Sequence, residues 1–166
     1  MKALIETATP ETATGSIKKG YELFEKRGVA MPDPLQLITA SPGYFGIMYD
    51  RALYLANHPN LSFGLLAHIR YFAASRLDYA FCKMFNKEQL QKMGMTREDF
   101  IAMGDDPEKS LLEDNEKAML CFVLSAMADP ESITAEDIEG LRDLGWTDSD
   151  IFDALASERT YKKAWP

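Results

Sequence analysis

The chain is short of the residues that staple or metallate a protein. It has two cysteines, Cys82 and Cys121, and two histidines, His58 and His68. One pair of cysteines builds no disulfide framework and fits a reducing compartment. Two imidazoles do not complete a closed zinc site, and neither metal nor other cofactor is expected. No apolar run approaches the roughly 20 residues that span a bilayer. The opening MKALIETATPETATG lacks the long apolar stretch of a secretion signal. A cytoplasmic protein with no membrane partner is the expectation. Cations are scarce as well: 18 Lys and Arg stand against 26 Asp and Glu, a formal net charge of -8. No basic cluster is dense enough to hold a phosphate backbone against that charge, so nucleic acid is not an expected partner. Period-two alternation is missing outside short ambiguous runs, which argues against a sheet.

What remains is ordinary globular composition, 46% hydrophobic and 27% charged over 166 residues, enough for one packed domain. Residues 1–15 hold four threonines and little apolar content. They read as a mobile N-terminal arm, or one that docks on a neighbour, and the domain proper runs from 16 to 166. Ile17, Tyr21 and Phe24 fall at helical spacing ahead of a Gly28 stop. LQLITAS reads as a short helix ended by Pro42 and Gly43. Tyr44 to Asn57 and Leu61 to Leu77 follow as two core helices joined across His58-Pro59. On the second, the apolar stripe is Leu61, Leu65, Leu66, Ile69, Phe72, Ala73 and Leu77. The face opposite it carries Ala67, Tyr71, Ala74 and Asp78.

After Asp78 a further helix carries Phe81, Met84, Phe85 and Leu90 to a stop at Gly94. Thr96 with Asp99 forms a capping-box pattern, repeated by Thr134 with Asp137 and Thr147 with Asp150. Between these, Glu113 to Ala128 is an apolar helix closed by Asp129-Pro130, and the last helix carries Ile151, Phe152 and Leu155 inward. About seven to nine helices and an all-α fold are expected.

Two blocks, NHPNLSFGLLAHIRYFAASRLDYAFC and NEKAMLCFVLSAMADPESITAEDIEGLRDLGWTDSDIFDAL, resemble the alkylhydroperoxidase D-like (carboxymuconolactone decarboxylase) family. The C-terminal block is similar to the family's closing helices. The N-terminal block is similar to its run from a His-Pro turn through a Leu-Ser helix start to a Cys-x-x-Cys motif. The resemblance implies an AhpD-like helical domain, self-association into a homo-oligomer, and thiol chemistry on hydroperoxides. It implies that a glutamate, two cysteines and a later histidine carry the reaction. Here those positions hold Ala67, Tyr79, Cys82, and Phe85 or Asn86, with Phe81 between the cysteine positions. Only the second cysteine is kept. A dithiol cycle inside one motif is excluded, because a lone thiol cannot resolve its own sulfenic acid.

Three candidates for the catalytic site follow: Cys82, Tyr79 and His68. Cys82 falls in the first turn of its helix beside Lys83, where bare amides and the dipole favour a thiolate. Equally, a cysteine among Phe81, Met84 and Phe85 reads as a small buried hydrophobe. His68 borders the apolar stripe, either as a general base or as a satisfied surface or interface residue. Asp78 is a displaced acid or the N-cap of the next helix. Cys121 reads as core packing, His58 as a helix-terminus residue. The aromatics Tyr71, Phe72, Tyr79, Phe81 and Phe85 with Met84 line either a small apolar pocket or a helix interface.

Two functions are therefore carried forward. One is a peroxidase-related oxidoreductase that uses Cys82, helped by His68 or Tyr79, on a small hydroperoxide or other apolar substrate, with an external thiol as reductant. The other is a non-catalytic helical oligomer that binds a small molecule or protein partner, its redox centre lost.

Overall fold

The computed structural model describes residues 4–158, and its regular elements there are nine α-helices and two 3-10 turns. The helices are α1 (Gly15–Lys26), α2 (Asp33–Ile38), α3 (Pro42–Ala56), α4 (Phe63–Arg76), α5 (Ala80–Lys92), α6 (Arg97–Asp105), α7 (Asp114–Ala128), α8 (Ala135–Asp143) and α9 (Asp148–Glu158). The 3-10 turns are Pro107–Lys109 and Pro130–Ser132. The all-α class and the helix count expected from periodicity hold. None of the described helices is long and apolar enough to cross a membrane.

Contacts along the chain divide it into two compact units after Asn57. Composition places its one boundary after residue 15 instead, because it registers a dearth of apolar side chains and not which helices share a core. In the first unit Ala13, Ile17, Met31 and Phe45 are buried together, with Ala8, Tyr21, Phe24, Leu35, Ile38 and Tyr49 packed around them. Part of the expected arm joins this cluster. The Ala8 amide donates to Thr39 Oγ1 at 2.9 Å, and the Tyr21 hydroxyl donates to the Ala8 carbonyl at 2.7 Å. Residues 1–3 of that arm lie outside the described residues. Pro42 does not end a helix. It is the first residue of α3, where its missing N–H would have had no partner in any case.

In the second unit α4 is the hub, packed by α5, α7 and α9. The face opposite the apolar stripe is partly buried as well: Ala67 and Ala74 are buried together with Leu65, Leu66, His68, Ile69, Phe72 and Ala73. A helix flanked on several sides by other helices buries more than the stripe its larger side chains draw, and only Phe63 and Arg76 of α4 are exposed. Ser62 starts it, accepting the Leu65 amide on its hydroxyl at 3.0 Å. The capping boxes expected at Thr96 and Thr134 are formed, each with its aspartate three residues on. Thr147 and Asp150 make the same reciprocal bonds at α9. Along α9 the buried positions are Ile151, Ala154 and Ser157. Phe152, expected inward, lies a hundred degrees round from Ile151 and is 63% exposed.

Candidate active site around Cys82

α4 and α5 form an antiparallel hairpin closed by residues 77–79. The chain reverses through Asp78, which has φ +54°, while the Tyr79 amide donates back to the Ala74 carbonyl at 2.9 Å. This is a Schellman closure with aspartate at the position where glycine is usual. Asp78 is therefore the terminator of α4 and not the cap of α5. The N-cap of α5 is Tyr79, which offers no side-chain cap to the helix. Ala80, Phe81 and Cys82 are then the first three residues of α5, so the sulfur belongs to its first turn. Helix-start amides stabilise negative charge at this position. Cys82 is half-buried and Tyr79 is 38% exposed. Neither Cys82 nor Cys121 forms a disulfide.

The positions that the resemblance assigns to other catalytic groups are occupied by packing residues. Ala67 is 1% exposed inside the helix bundle and carries no group that could take a proton. Phe85 stacks on Phe81 one turn earlier, with ring centroids 6.3 Å apart. Asn86 is buried, and its amide donates to the Cys82 carbonyl at 2.8 Å, which fixes the backbone of the cysteine turn. The expected aromatic group is split. The Tyr71 ring lies 5.3 Å from that of Phe100 and 5.8 Å from that of Phe72, whereas Tyr79, Phe81 and Met84 are exposed.

His68 is not the boundary residue that the stripe suggests. It is 2% exposed in the middle of α4, with Nδ1 2.8 Å from the Gly64 carbonyl and Nε2 lacking a hydrogen-bond partner. Burial lowers its pKa, with the Gly64 carbonyl and the nearby Glu116 carboxylate pulling the other way. The hairpin also separates it from the thiol. Met93 at the end of α5 reaches to within 3.1 Å of the point where a Cβ on Gly64 would stand. Counting back along α5, Cys82 comes level with the last turn of α4, near Ser75. His68 lies about two turns earlier, roughly 10 Å along the axis. Tyr79 and Cys82 thus share the start of α5, and His68 belongs to the middle of α4.

Two further groups lie in the same unit. His58 is a helix-entry residue, as expected, but with partners that sequence does not display. Its Nδ1 accepts the amides of Asn60 and Leu61 at 3.2 and 3.0 Å, and its Nε2 faces Asp153 at 3.3 Å and Asp150 at 3.8 Å. Asn60 donates to both oxygens of Asp150. Burial pushes Asp150 up, yet the bonds from Thr147 and Asn60 and the nearby His58 more than offset this and hold its pKa below the usual value. Cys121, expected in the core, is half-buried on the wall of a cleft of about 530 Å³ between α7 and α8, with Phe122, Ser125, Glu136 and Leu141. Burial, a hydrogen bond to Glu108 and the charges of Glu108 and Asp106 push its thiol up to about 11.

Glu116, whose charge acts on His68, escapes sequence reading altogether. It sits in the first turn of α7, where acidic residues are expected for the dipole alone.

No protein-family model and no curated protein matches the chain. Solved structures do. An uncharacterized peroxidase-related protein from Silicibacter sp. is similar with a TM-score of 0.74 and 18% identity, over 96% of this chain and 83% of that one. An alkylhydroperoxidase AhpD core, an uncharacterized peroxidase-related protein from Ralstonia eutropha, is similar with a TM-score of 0.71 and 19% identity, over 88% and 77%. The two likenesses bear out the architecture implied by the resemblance: the chain has the AhpD-like helical fold.

Proposed function

We propose that the chain is a peroxidase-related oxidoreductase of the alkylhydroperoxidase D-like (carboxymuconolactone decarboxylase) family, working through the single thiol of Cys82. The observation that carries this reading is the place of Cys82, in the first turn of α5 and partly open to solvent. The thiolate attacks the outer oxygen of a small hydroperoxide. An S–O bond forms, the O–O bond breaks, and the departing alkoxide takes a proton to leave as alcohol. The sulfenic acid then meets an external thiol, giving a mixed disulfide and water. A second external thiol displaces Cys82 and carries away the oxidising equivalents as a disulfide. Tyr79 is the N-cap of the same helix, three residues before the thiol. His68, buried and two turns away, has no direct part in moving the thiol proton.

Self-association belongs to the same reading. Tyr79, Phe81 and Met84 are exposed around the thiol, and a second copy of the chain would cover them. Sedimentation velocity on the purified protein tests this, a monomer at micromolar concentration counting against it.

The decisive assay is consumption of cumene hydroperoxide in excess dithiothreitol. We expect turnover by the wild type and by Cys121→Ser, and loss of at least about tenfold in Cys82→Ser, as for removal of a nucleophile. Turnover at the background rate in all three proteins would favour the non-catalytic oligomer instead. A Cys82 that resists iodoacetamide in the native protein would point the same way.

A further inference from the structure

The cleft between α7 and α8 encloses about 530 Å³, within the range of small-molecule sites. Ala118 and Phe122 of α7, Leu141 of α8, Leu144 just after it and Ile133 just ahead of it form the apolar part of its walls. Gly140 leaves it open. Glycine inside a helix weakens it relative to alanine, and the usual reasons for accepting that cost are missing here. Its φ is not positive, and a Cβ added there would meet no atom within 4 Å. The absent side chain is therefore room on the wall of the cleft. Glu136, Gly140 and Leu144 recur every four residues, so an acid, a gap and an apolar group follow one another along one face of α8 over about 12 Å.

The charge on these walls is of one sign. Glu136 and Asp137, in the first turn of α8, both line the cleft. Asp137 is committed to the capping box with Thr134, whereas Glu136 enters no hydrogen bond or ion pair with another described residue. The start of α8 contributes about half a positive charge, which two carboxylates outweigh. On the α7 wall, burial, a hydrogen bond to Glu108 and the charges of Glu108 and Asp106 push the Cys121 thiol up to about 11. That wall resists a negative charge as well. Among the described residues no Lys, Arg or His lines the cleft. An anionic guest would meet repulsion from both sides. A metal ion would have to exchange its water shell for one uncommitted carboxylate among apolar groups, too few ligands to hold it.

We propose that the cleft between α7 and α8 binds a small organic cation, an ammonium that pairs with Glu136 and is carried on an apolar body lying against Phe122, Leu141 and Leu144. The gap at Gly140 receives the body between the two ends. Cys82 is not among the residues of this cleft, and the proposal does not rest on the thiol chemistry above.

Phenethylammonium and 3-phenylpropanoate share an apolar body and carry opposite charges. They test the proposal on full-length Cys82→Ser protein, where Cys121 is the remaining thiol. In methyl proton–carbon spectra phenethylammonium should shift Ile133, Leu141 and Leu144 saturably, and over the same concentration range it should slow alkylation of Cys121 by uncharged N-ethylmaleimide. The anion should bind at least about tenfold more weakly, because it meets the same acids with the wrong sign. Glu136→Gln should weaken phenethylammonium at least about tenfold, as for a lost hydrogen bond between charged groups, and leave 3-phenylpropanoate no weaker. Gly140→Leu, which places a side chain in the gap, should abolish the methyl shifts. Should that variant fail to fold, Glu136→Gln, a change at an exposed position, decides alone. No saturable shift in the parent protein, equal affinity for the two ions, or undiminished binding of phenethylammonium by either folded variant overturns the proposal.

Discussion

Asp78 occupies the position after α4 that glycine holds after α1, α5 and α8, at Gly28, Gly94 and Gly145, all with positive φ. A side chain in that left-handed region costs about 1–2 kcal/mol, less for aspartate than for most residues. Asp78→Gly should therefore raise stability by roughly 0.5–1 kcal/mol, and Asp78→Val should lower it by a similar or larger amount, read from urea midpoints. An unchanged midpoint for both would mean the turn carries no strain. Cys121 offers a further test at this scale. With its thiol pushed up to about 11, Cys82→Ser protein should alkylate about a hundred times more slowly near pH 8 than an ordinary cysteine, because only the thiolate reacts. Residue types announce some of these roles and not others. The capping threonines and the stop glycines carry their function in their own chemistry, whereas Asp78 reads as a cap from sequence and becomes a terminator only because the chain turns one residue sooner.

At the scale of elements, α1 and α3 are held by a close approach at Gly20. A Cβ there would meet the Phe45 ring at 2.8 Å and Met31 Cε at 3.3 Å. Alanine is the better helix former by about 1 kcal/mol, but Phe45 is buried in the first unit's core and has nowhere to swing. The clash should prevail, and Gly20→Ala should lose roughly 1–3 kcal/mol in a thermal or urea melt. A gain in stability would show that the ring can shift. Helix existence is legible throughout, since apolar spacing and capping boxes are local signals. Burial is less so. The large residues of α4 draw its stripe correctly, yet Ala67, His68 and Ala74 are buried too, because neighbours arrive from other sides and small residues do not advertise the contact.

For the whole molecule the titrating groups set a pH window. His68 has its pKa lowered by burial, so the unfolded chain takes up that proton first as pH falls. Stability should begin to decline below about 6.5. Asp99, Asp137, Asp148 and Asp150 also lie below the usual carboxylate value. Their contribution is present above about pH 4 and is lost as pH drops through their folded values. Cys121 acts at the other end: its raised folded value keeps stability intact below about pH 8.5, and it is lost as pH climbs toward 11. Denaturant midpoints across pH should thus form a plateau between roughly 6.5 and 8.5. A His68→Phe variant should extend the acidic edge of that plateau, and an unmoved edge would assign the decline to other groups.

The sequence by itself determined the helices, most of their ends, the helical architecture that the solved neighbours share, and a covalent inventory of two cysteines, because each is written in spacing or in composition. Tertiary structure alone decided which groups meet. It placed Asp150 and Asp153 on His58, tied Asn60 to Asp150, and joined Arg76 to the Leu124 carbonyl. The pairings of His58 with Asp153 and of Arg76 with Leu124 join positions dozens of residues apart, and only the packing of helices brings them into range.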